Sequence, residues 1–359
     1  MKIGILTYHY ALNYGAVLQG LAMQTFLRGL GHQVVFINYR NSEIENSYKL
    51  FKFREYSKRR LGEFFKTFFR DVLTAIKYYK FKRETSKLLS IEKTKQTEQN
   101  YCFSNYDRII IGSDQVWNEA ITGGSDYFYN GNFNRKKLIP LIGYAISINK
   151  IVLNDDFINK IRSIVKNFLY ISIREKESAK VLNDITHNNI YNCLDPVFLI
   201  SKKEWENMIP FNKNNNYILA YAILNQEKVL DIAKRVSLKY GLELVILNPM
   251  ANYVHDIRKC ISPAPLEFVS FIKNAKLVFT SSFHGTAFST ILEKDFYVIG
   301  DDISNIRMKS FLQEINLSNR IIDNFSDVDL HDSINYSEVN EILQIKKNKS
   351  TNFLIKSIK

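Results

Sequence analysis

The stretch Lys276–Thr286, KLVFTSSFHGT, decides the fold expected for this chain. Its apolar run Leu277–Phe279 predicts a buried strand, and a second apolar run, Ala287–Leu292, is compatible with a helix. His284 therefore stands where a strand ends and a helix begins. In an open parallel sheet this position faces the ligand crevice, and the free N–H groups of the helix N-terminus attract anions. A lone histidine at such a place either packs and caps the helix or takes part in chemistry.

The same alternation of strand and helix runs through both halves of the chain. Lys2–Tyr8 predicts a strand, Ala16–Leu30 a helix and Gln33–Tyr39 a second strand, and together they form a βαβ unit with parallel strands. The pattern restarts at Tyr217–Leu224, after a polar stretch that contains a proline. We therefore expect an α/β protein with two Rossmann-like domains and a cleft between them. The expected boundaries are residues 1–208, a linker at 209–216, residues 217–336 and a basic C-terminal helix at 337–359.

The composition is that of an ordinary folded protein from a reducing compartment. The 359 residues are 46% hydrophobic and 24% charged. Cys102, Cys193 and Cys260 are widely spaced, which predicts neither a disulfide framework nor a metal site and favours the cytoplasm. The sequence shows no signal-peptide pattern and no window of 18 apolar residues, so we expect no transmembrane helix. P-loop, GxGxxG, HExxH and GxSxG motifs are also missing, and we expect neither a metal nor a cofactor.

Most of the net charge of +13 comes from the segment Lys49–Lys95, which has 15 Lys and Arg residues against 5 Asp and Glu residues. Its apolar residues from Leu61 to Ile76 recur on one helical face, which predicts a basic amphipathic helix or a pair of them. Such a segment packs on its domain with a solvated basic face, or it contacts an anionic membrane surface or a lipid-linked substrate. We therefore expect a cytoplasmic protein that is peripheral at the inner face of the membrane. No recognised nucleic-acid motif accompanies the charge, so nucleic acid is not an expected partner.

Polar residues follow several of the predicted strands, and the carboxyl ends of parallel strands meet at one edge of a sheet. These residues are His9, Asn13, Ser113, Asp114, Arg174, Asp195, Ser281, Ser282 and His284. Asp195 precedes a proline, which favours an extended turn role for it. Trp117 lies close to this set in the sequence. It has two interpretations, a core residue or a platform on which a sugar stacks.

Two of the charged residues in this set also have more than one interpretation. Asp114 serves as a helix N-cap or binds substrate. Arg174 pairs with Glu175 or Glu177, or it binds an anion. Anion binding is slightly favoured, because a guanidinium makes a bidentate fit to phosphate or carboxylate.

Five blocks of sequence, taken in order, resemble the polysaccharide pyruvyl transferase family. They are Asn13–Gln19 (NYGAVLQ), Gly112–Asn118 (GSDQVWN), Ser172–Ser178 (SIREKES), Asp195–Leu199 (DPVFL) and Ser282–Thr286 (SFHGT). The resemblance spans roughly residues 1–300 and leaves out the basic insertion. It implies a GT-B-like fold and the transfer of pyruvate from phosphoenolpyruvate onto two hydroxyls of one sugar. The products are a cyclic ketal and free phosphate, and the acceptor is a precursor of capsule, exopolysaccharide or cell-wall polymer, expected here as a lipid-linked oligosaccharide.

The resemblance also implies roles for site residues. Arg174 then holds phosphoenolpyruvate, and His284 contributes to catalysis. Similar proteins carry an arginine two positions before the histidine, where this chain has Ser282. Arg307, or the helix N-terminus that includes Gly285, is the expected replacement for that cation. Asp114 is expected to orient acceptor hydroxyls or to act as a base. The loop residues expected around the donor or acceptor are His9, Asn13, Gly15, Ser113 and Trp117.

Two other functions fit the same sequence. A GT-B glycosyltransferase that uses a nucleotide sugar has the same fold and also places an arginine in its cleft. A non-catalytic scaffold of a polysaccharide assembly complex would tolerate substitution at both Arg174 and His284.

Overall fold

A computed structural model describes residues 1–48, 61–98, 100–101, 103–133, 139–148, 153–210, 216–247, 260–300, 306–329 and 331–359. Their strands form two parallel sheets of six strands each. Most of the predicted linker lies outside these residues, since positions 211–215 are not among them. Parallel strands are covered by helices on both faces, which is why the central strands read as near-continuous apolar runs in the sequence.

The first sheet has the strand order β2-β1-β3-β4-β5-β6. Its strands are β1 Lys2–Leu6, β2 Gln33–Phe36, β3 Arg108–Asp114, β4 Leu141–Ile146, β5 Tyr170–Ile173 and β6 Ile190–Asn192. The helices of this half are α1 Tyr14–Gly29, α2 Ser42–Ser47, α3 Leu61–Leu88, α4 Glu119–Thr122, α5 Asp155–Val165, α6 Lys176–Thr186 and α7 Lys202–Met208, with a 3₁₀ turn at Pro196–Phe198.

The second sheet has the strand order β12-β11-β10-β7-β8-β9. Its strands are β7 Tyr217–Tyr221, β8 Glu243–Leu247, β9 Cys260–Ile261, β10 Leu277–Thr280, β11 Phe296–Ile299 and β12 Ile321–Ile322. The helices of this half are α8 Gln226–Tyr240, α9 Pro265–Asn274, α10 Phe283–Ile291, α11 Ile306–Glu314 and α12 Tyr336–Ile358, with 3₁₀ turns at Ser318–Arg320 and Phe325–Asp327.

The two halves pack together at the amino end of α1. The ring of Tyr14 stacks on that of Phe268 from α9 with their centroids 4.4 Å apart. The Tyr14 hydroxyl donates a hydrogen bond of 3.0 Å to the carbonyl of Pro263. The first turn of α1 therefore faces the second sheet, and Gly15 lies directly against His284 at the start of α10. Two helix N-termini thus meet in the cleft between the halves.

The C-terminal helix α12 returns from the second sheet to the first. The ring of Phe353 lies 5.0 Å from that of Tyr191 and 6.2 Å from that of Tyr144. The backbone N–H of Leu194 donates a 2.9 Å hydrogen bond to the hydroxyl of Ser350. The last helix consequently covers the β4–β6 side of the first sheet and forms one wall of the cleft.

The basic segment contains α3, and its residues 49–60 lie outside the described part of the chain. The carboxyl-terminal part of α3 packs against both halves. The ring of Phe81 lies 5.5 Å from that of Tyr14, and the Glu84 carboxylate accepts a 2.9 Å hydrogen bond from the backbone N–H of Leu266. This part of the helix is therefore anchored on the folded protein. Within the described ranges, no helix has both the length and the hydropathy needed to span a bilayer.

Candidate active site

Arg174 follows the carboxyl end of β5, where the fold places it at the edge facing the cleft. The side chain is buried, and its Nη2 lies 2.7 Å from Oδ2 of Asp195 and donates a hydrogen bond to the hydroxyl of Ser113. The guanidinium carbon stands 5.0 Å from the centre of the Phe283 ring. Its Nε and Nη1 have no hydrogen-bond partner among the described residues. Arg174 pairs with Asp195 and not with Glu175 or any other glutamate of its own segment.

Asp195 joins the arginine to the histidine. One carboxylate oxygen, Oδ2, lies 2.7 Å from Arg174 Nη2 and 3.4 Å from His284 Nε2, while Oδ1 accepts the backbone N–H of Val197 at 3.0 Å. Burial by itself would raise the pKa of this carboxyl, but the charges of Arg174 and His284 outweigh burial and lower it to about 2. The expected turn role is present, and the same side chain also provides the negative charge at the centre of the site.

His284 lies in the first turn of α10 and is buried. Its Nε2 faces Asp195, and its Nδ1 faces α1. A β-carbon added to Gly15 would lie 1.9 Å from Nδ1, so only a glycine leaves room for the imidazole there. The His284 ring therefore lies between the Asp195 carboxylate and the Gly15 backbone, which both belong to the first half. Its own helix, α10, belongs to the second half.

Three of the predicted site residues shape these two helix N-termini. Asn13 caps α1 by accepting the backbone N–H of Gly15 at 2.9 Å. Ser282 caps α10 by accepting the backbone N–H of Gly285 at 3.4 Å. A β-carbon on Gly285 would lie 2.3 Å from the hydroxyl of Thr280, so this glycine allows the helix to pack closely on β10. Asn13, Ser282 and Gly285 thus make structural contacts beside the site.

Arg307 supplies the second cation, from the first turn of α11. It lines a cavity of about 620 Å³ together with Arg174 and Asp195. Burial lowers the pKa of the Arg307 guanidinium, and the nearby charge of Arg174 lowers it further, whereas Asp114 acts in the opposite direction. Two guanidinium groups therefore line one cavity and lie close enough to repel each other. An anion placed between them would relieve that repulsion.

Ser113 and Asp114 come from the carboxyl end of β3. The Ser113 hydroxyl accepts from Arg174 and donates to the carbonyl of Ala145 at 3.1 Å. Asp114 has a backbone φ of 87°, and its Oδ1 accepts the backbone N–H of Gln115 at 2.9 Å. It does not begin a helix, because α4 starts later with Asn118 as its N-cap. Asp114 therefore stays at the edge of the sheet, within electrostatic range of Arg307.

His9 and Trp117 contact other parts of the protein. His9 is buried, and its Nδ1 lies 3.2 Å from the Thr7 carbonyl. Its ring lies 6.0 Å from that of Phe36 on β2. The strands β3 and β4 separate β1, which precedes His9, from β5, which precedes Arg174. The indole N–H of Trp117 donates to the carbonyl of Tyr129 at 3.1 Å. Trp117 is a core residue in this structure, the first of its two alternatives.

Glu175 is a member of the site that the sequence did not single out. It is buried, lines the same cavity, accepts a hydrogen bond from the hydroxyl of Ser147 and has a second oxygen, Oε2, with no hydrogen-bond partner in the described part of the chain. Its signal in the sequence was its place beside Arg174 in the predicted strand-end block. No group of three or more His, Cys, Asp or Glu side chains in the described ranges could hold a metal ion.

Two parallel sheets, with a site assembled from both across a cleft, define a protein of the GT-B fold class. The sequence model of the polysaccharide pyruvyl transferase family matches residues 13–303, and the chain belongs to that family. No curated protein sequence matches the chain significantly.

Several solved structures are similar to this chain at low sequence identity. A protein assigned as a UDP-N-acetylglucosamine 2-epimerase from Listeria monocytogenes aligns with a TM-score of 0.50 and 10% identity over 96% of this chain and 90% of its own. The UDP-GlcNAc 2-epimerase from Neisseria meningitidis aligns with a TM-score of 0.47 and 11% identity over 99% of this chain and all of its own. The UDP-GlcNAc 2-epimerase from Methanocaldococcus jannaschii aligns with a TM-score of 0.47 and 14% identity over 98% of this chain and 94% of its own. Similarity at these identities concerns the fold alone.

Proposed function

We propose that this protein transfers pyruvate from phosphoenolpyruvate to two hydroxyls of one sugar in a polysaccharide precursor and releases phosphate. The observation that carries the proposal is Arg174, whose buried guanidinium has two unpartnered N–H positions on a cavity next to the Asp195–His284 contact. Membership of the pyruvyl transferase family supports the transferred group.

The part of the cavity that Arg174 and Arg307 line suits a donor with a phosphate and a carboxylate. Arg174 and Arg307 are the two cations there, and guanidinium groups bind both kinds of anion in a bidentate manner. Helix α10 begins at Phe283, which lines the cavity, and α1 begins against His284; neither helix has an acidic residue in its first turn. Their N-termini therefore add positive potential at the same place. Arg307 takes the part of the arginine that the family resemblance places at Ser282.

His284 is the proposed general acid and base. Oδ2 of Asp195 lies 3.4 Å from its Nε2, and this contact orients the imidazole in the proposal. Protonation of C3 of phosphoenolpyruvate makes C2 electrophilic, and a sugar hydroxyl adds to C2 and loses its proton. Phosphate then leaves with its electron pair, and a second hydroxyl of the same sugar adds to C2 to close the ketal. One hydroxyl proton replaces the proton used at C3, and the other leaves with the phosphate.

A carboxylate near Arg307 is the proposed contact of the acceptor hydroxyls. Asp114, at the end of β3, is the proposed group that orients a hydroxyl or accepts its proton, and its charge acts on Arg307. A positioned acid or base contributes about 10²–10⁴-fold to such a step. The reaction requires no metal or cofactor in this proposal.

Ligand-induced thermal shifts test the donor. Phosphoenolpyruvate is expected to raise the melting temperature of the full chain, and UDP-N-acetylglucosamine is not. A shift with the nucleotide sugar alone would favour a glycosyltransferase instead. Arg174→Ala is expected to weaken phosphoenolpyruvate binding at least tenfold, while Arg235→Ala, which removes an exposed arginine paired with Asp231, leaves it unchanged.

Phosphate release in the presence of a lipid-linked oligosaccharide tests the reaction. Mass spectrometry of the acceptor is expected to show the added carboxyethylidene group, and His284→Ala is expected to lower the rate at least 100-fold. Release by His284→Ala at the wild-type rate would remove this residue from the mechanism. Absence of release with every acceptor, together with tolerance of both substitutions, would favour a scaffold.

We also propose that the basic segment 49–95 contacts anionic lipid. Lys82, Arg83 and Lys87 are exposed on α3, on the same turns whose Phe81 and Glu84 pack on the protein. Sedimentation with phosphatidylglycerol vesicles is expected to fall when all three are replaced by glutamine. Equal sedimentation of this variant and the wild type would exclude the described part of α3 as the lipid contact.

A further inference from the structure

The buried carboxylate of Glu175 lies between two strand ends of the first sheet. Glu175 follows Arg174 past the end of β5 and is the N-cap residue of α6, with an extended backbone (φ −83°, ψ 122°). Its side chain makes no capping hydrogen bond to that helix. One of its oxygens, Oε1, instead accepts a hydrogen bond from the hydroxyl of Ser147, which follows β4. The carboxylate therefore reaches along the carboxyl edge of the sheet, where the Ser147 hydroxyl holds it.

The other oxygen of this carboxylate, Oε2, has no hydrogen-bond partner in the described part of the chain. Glu175 is only 3% exposed, so bulk water does not replace the missing partner. A buried carboxylate oxygen without a partner is unfavourable, and such a group in a native protein calls for a specific explanation. The site therefore contains an acceptor position that no described residue fills.

Glu175 also lies where the site cavity adjoins a second one. The cavity of about 620 Å³ that Arg174 and Arg307 line has Glu175 in its wall. A second cavity, of about 420 Å³, lies between the start of α6 and α11. Four residues line both cavities: Glu175, Lys176, Ser310 and Glu314. Glu175 therefore borders both spaces between the two halves.

Three carboxylates in the described ranges line the site cavity, and Glu175 differs from the other two in its charge partners. Asp195 is paired with Arg174, and Glu314 is paired with Lys346. Within the same ranges, no lysine or arginine forms an ion pair with Glu175. A cation next to a carboxylate favours its charged form and makes it a weaker base. Of the three, Glu175 is therefore the carboxylate best suited to accept a proton.

We infer that Glu175 is a further catalytic residue of the proposed reaction, in which its Oε2 accepts the proton of the first sugar hydroxyl. The inference rests on the proposed function and leaves the orienting role to Asp114. The hydroxyl O–H bond breaks, its oxygen bonds to C2, and the proton moves to Glu175. The same proton then passes to the oxygen that leaves C2 with the phosphate, which regenerates the carboxylate. His284 receives the proton of the second hydroxyl, which replaces the proton given to C3.

Glu175→Gln tests the base, because it keeps the size of the side chain and an oxygen for the Ser147 hydroxyl. Phosphate release from phosphoenolpyruvate is measured with the lipid-linked oligosaccharide, at saturating concentrations of both. The kcat of the variant is expected to fall at least 100-fold. Its affinity for phosphoenolpyruvate, measured by isothermal titration calorimetry, is expected to be at least that of the wild type, because a negative charge near Arg307 is removed. Retained binding also shows that the variant is folded.

Glu177→Gln is the matched control. Glu177 is exposed at the start of the same helix, and it lines the second cavity but not the site cavity. This variant is expected to keep the kcat of the wild type. A wild-type kcat in Glu175→Gln would overturn the inference. An equal fall in both variants would also overturn it, since the loss would then follow from any charge removed at this place.

Rescue by formate separates a base from a structural contact. Glu175→Ala leaves a space beside Ser147 that a small carboxylate can fill. Sodium formate is expected to raise the kcat of Glu175→Ala about tenfold or more, and sodium chloride at the same ionic strength is not. Glu175→Gln is expected to stay slow in formate, because its amide occupies that space.

Two results distinguish failure of the inference from failure of the proposed function. Loss of activity in Glu175→Ala without rescue by formate would give Glu175 a structural role and overturn the inference, while the active wild type would still support the proposed function. A wild type that binds no phosphoenolpyruvate and releases no phosphate would refute the proposed function itself, and the inference with it.

Discussion

Replacing Asp195 by asparagine tests the electrostatic centre of the site. The substitution keeps the side-chain shape and an oxygen that can accept the backbone N–H of Val197, so the turn is preserved. It removes the negative charge that lies 2.7 Å from Arg174 and 3.4 Å from His284. Arg174 then remains buried without its counterion.

The expected size of the effect follows from the structure in two ways. Removing one partner of a buried ion pair costs about 3–5 kcal/mol. The lowering of the Asp195 carboxyl pKa from 3.8 to about 2 corresponds to about 2 kcal/mol of stability near neutral pH. We therefore expect Asp195→Asn to lower the free energy of unfolding by about 2–4 kcal/mol at pH 7. Because the folded-state pKa lies below that of the unfolded chain, this stabilisation is complete above about pH 5 and is lost as the pH falls toward 2.

Urea denaturation of the wild type and the variant at pH 7 and pH 3 measures both effects. The difference in unfolding free energy is expected to narrow by about 1 kcal/mol at pH 3, where the wild-type carboxyl has lost part of its advantage. Asp231→Asn is the matched control, because Asp231 pairs with Arg235 at an exposed i,i+4 position. That change is expected to cost less than about 0.5 kcal/mol.

Two results would refute the reasoning. One is a loss of less than about 1 kcal/mol for Asp195→Asn at pH 7, which would mean that Arg174 does not depend on this carboxylate. The other is the same difference between wild type and variant at both pH values. Neither outcome depends on the identity of the donor, so the test addresses the geometry of the site alone.

Three further predictions use glycine contacts and a buried histidine. Gly15→Ala is expected to lower phosphate release at least 100-fold, because the added β-carbon displaces the His284 ring. Gly29→Ala is the control and is expected to leave release unchanged, because a β-carbon at Gly29 would have no neighbour within 4 Å. Equal rates of release for the two variants would contradict the contact between Gly15 and His284. Gly285→Ala is expected to lower the free energy of unfolding in urea by about 1–3 kcal/mol, because the added β-carbon meets buried side chains beneath α10. An unchanged urea midpoint would mean that α10 shifts to make room for it. Burial lowers the pKa of His9 from 6.5 to about 4, so the free energy of unfolding is expected to fall by about 2 kcal/mol as the pH falls from 7.5 to 5, and His9→Gln should remove most of that fall. A variant with the wild-type pH dependence would assign the effect to other groups.

The class of the fold and its central residues could be predicted from local sequence. Hydrophobic periodicity marks strands and helices over a few residues, and strand-end rules placed Arg174 and His284 toward the cleft. Short elements such as β6 and β12 were not predicted, because two or three residues are too few to show a period. Asp195 was predicted mainly as a turn residue because the following proline was the strongest local signal.

The sequence by itself determined the alternation of strands and helices, the parallel sheets and the strand ends that carry polar residues, since each depends on neighbours along the chain. Only the tertiary structure decided which of those residues meet. It placed Asp195 between Arg174 and His284, and it set Gly15 of one half against the imidazole of the other. It also brought the lysines of α12 to the cavity wall. These contacts join residues far apart in sequence, and their energies come from burial and charge, which no local pattern encodes.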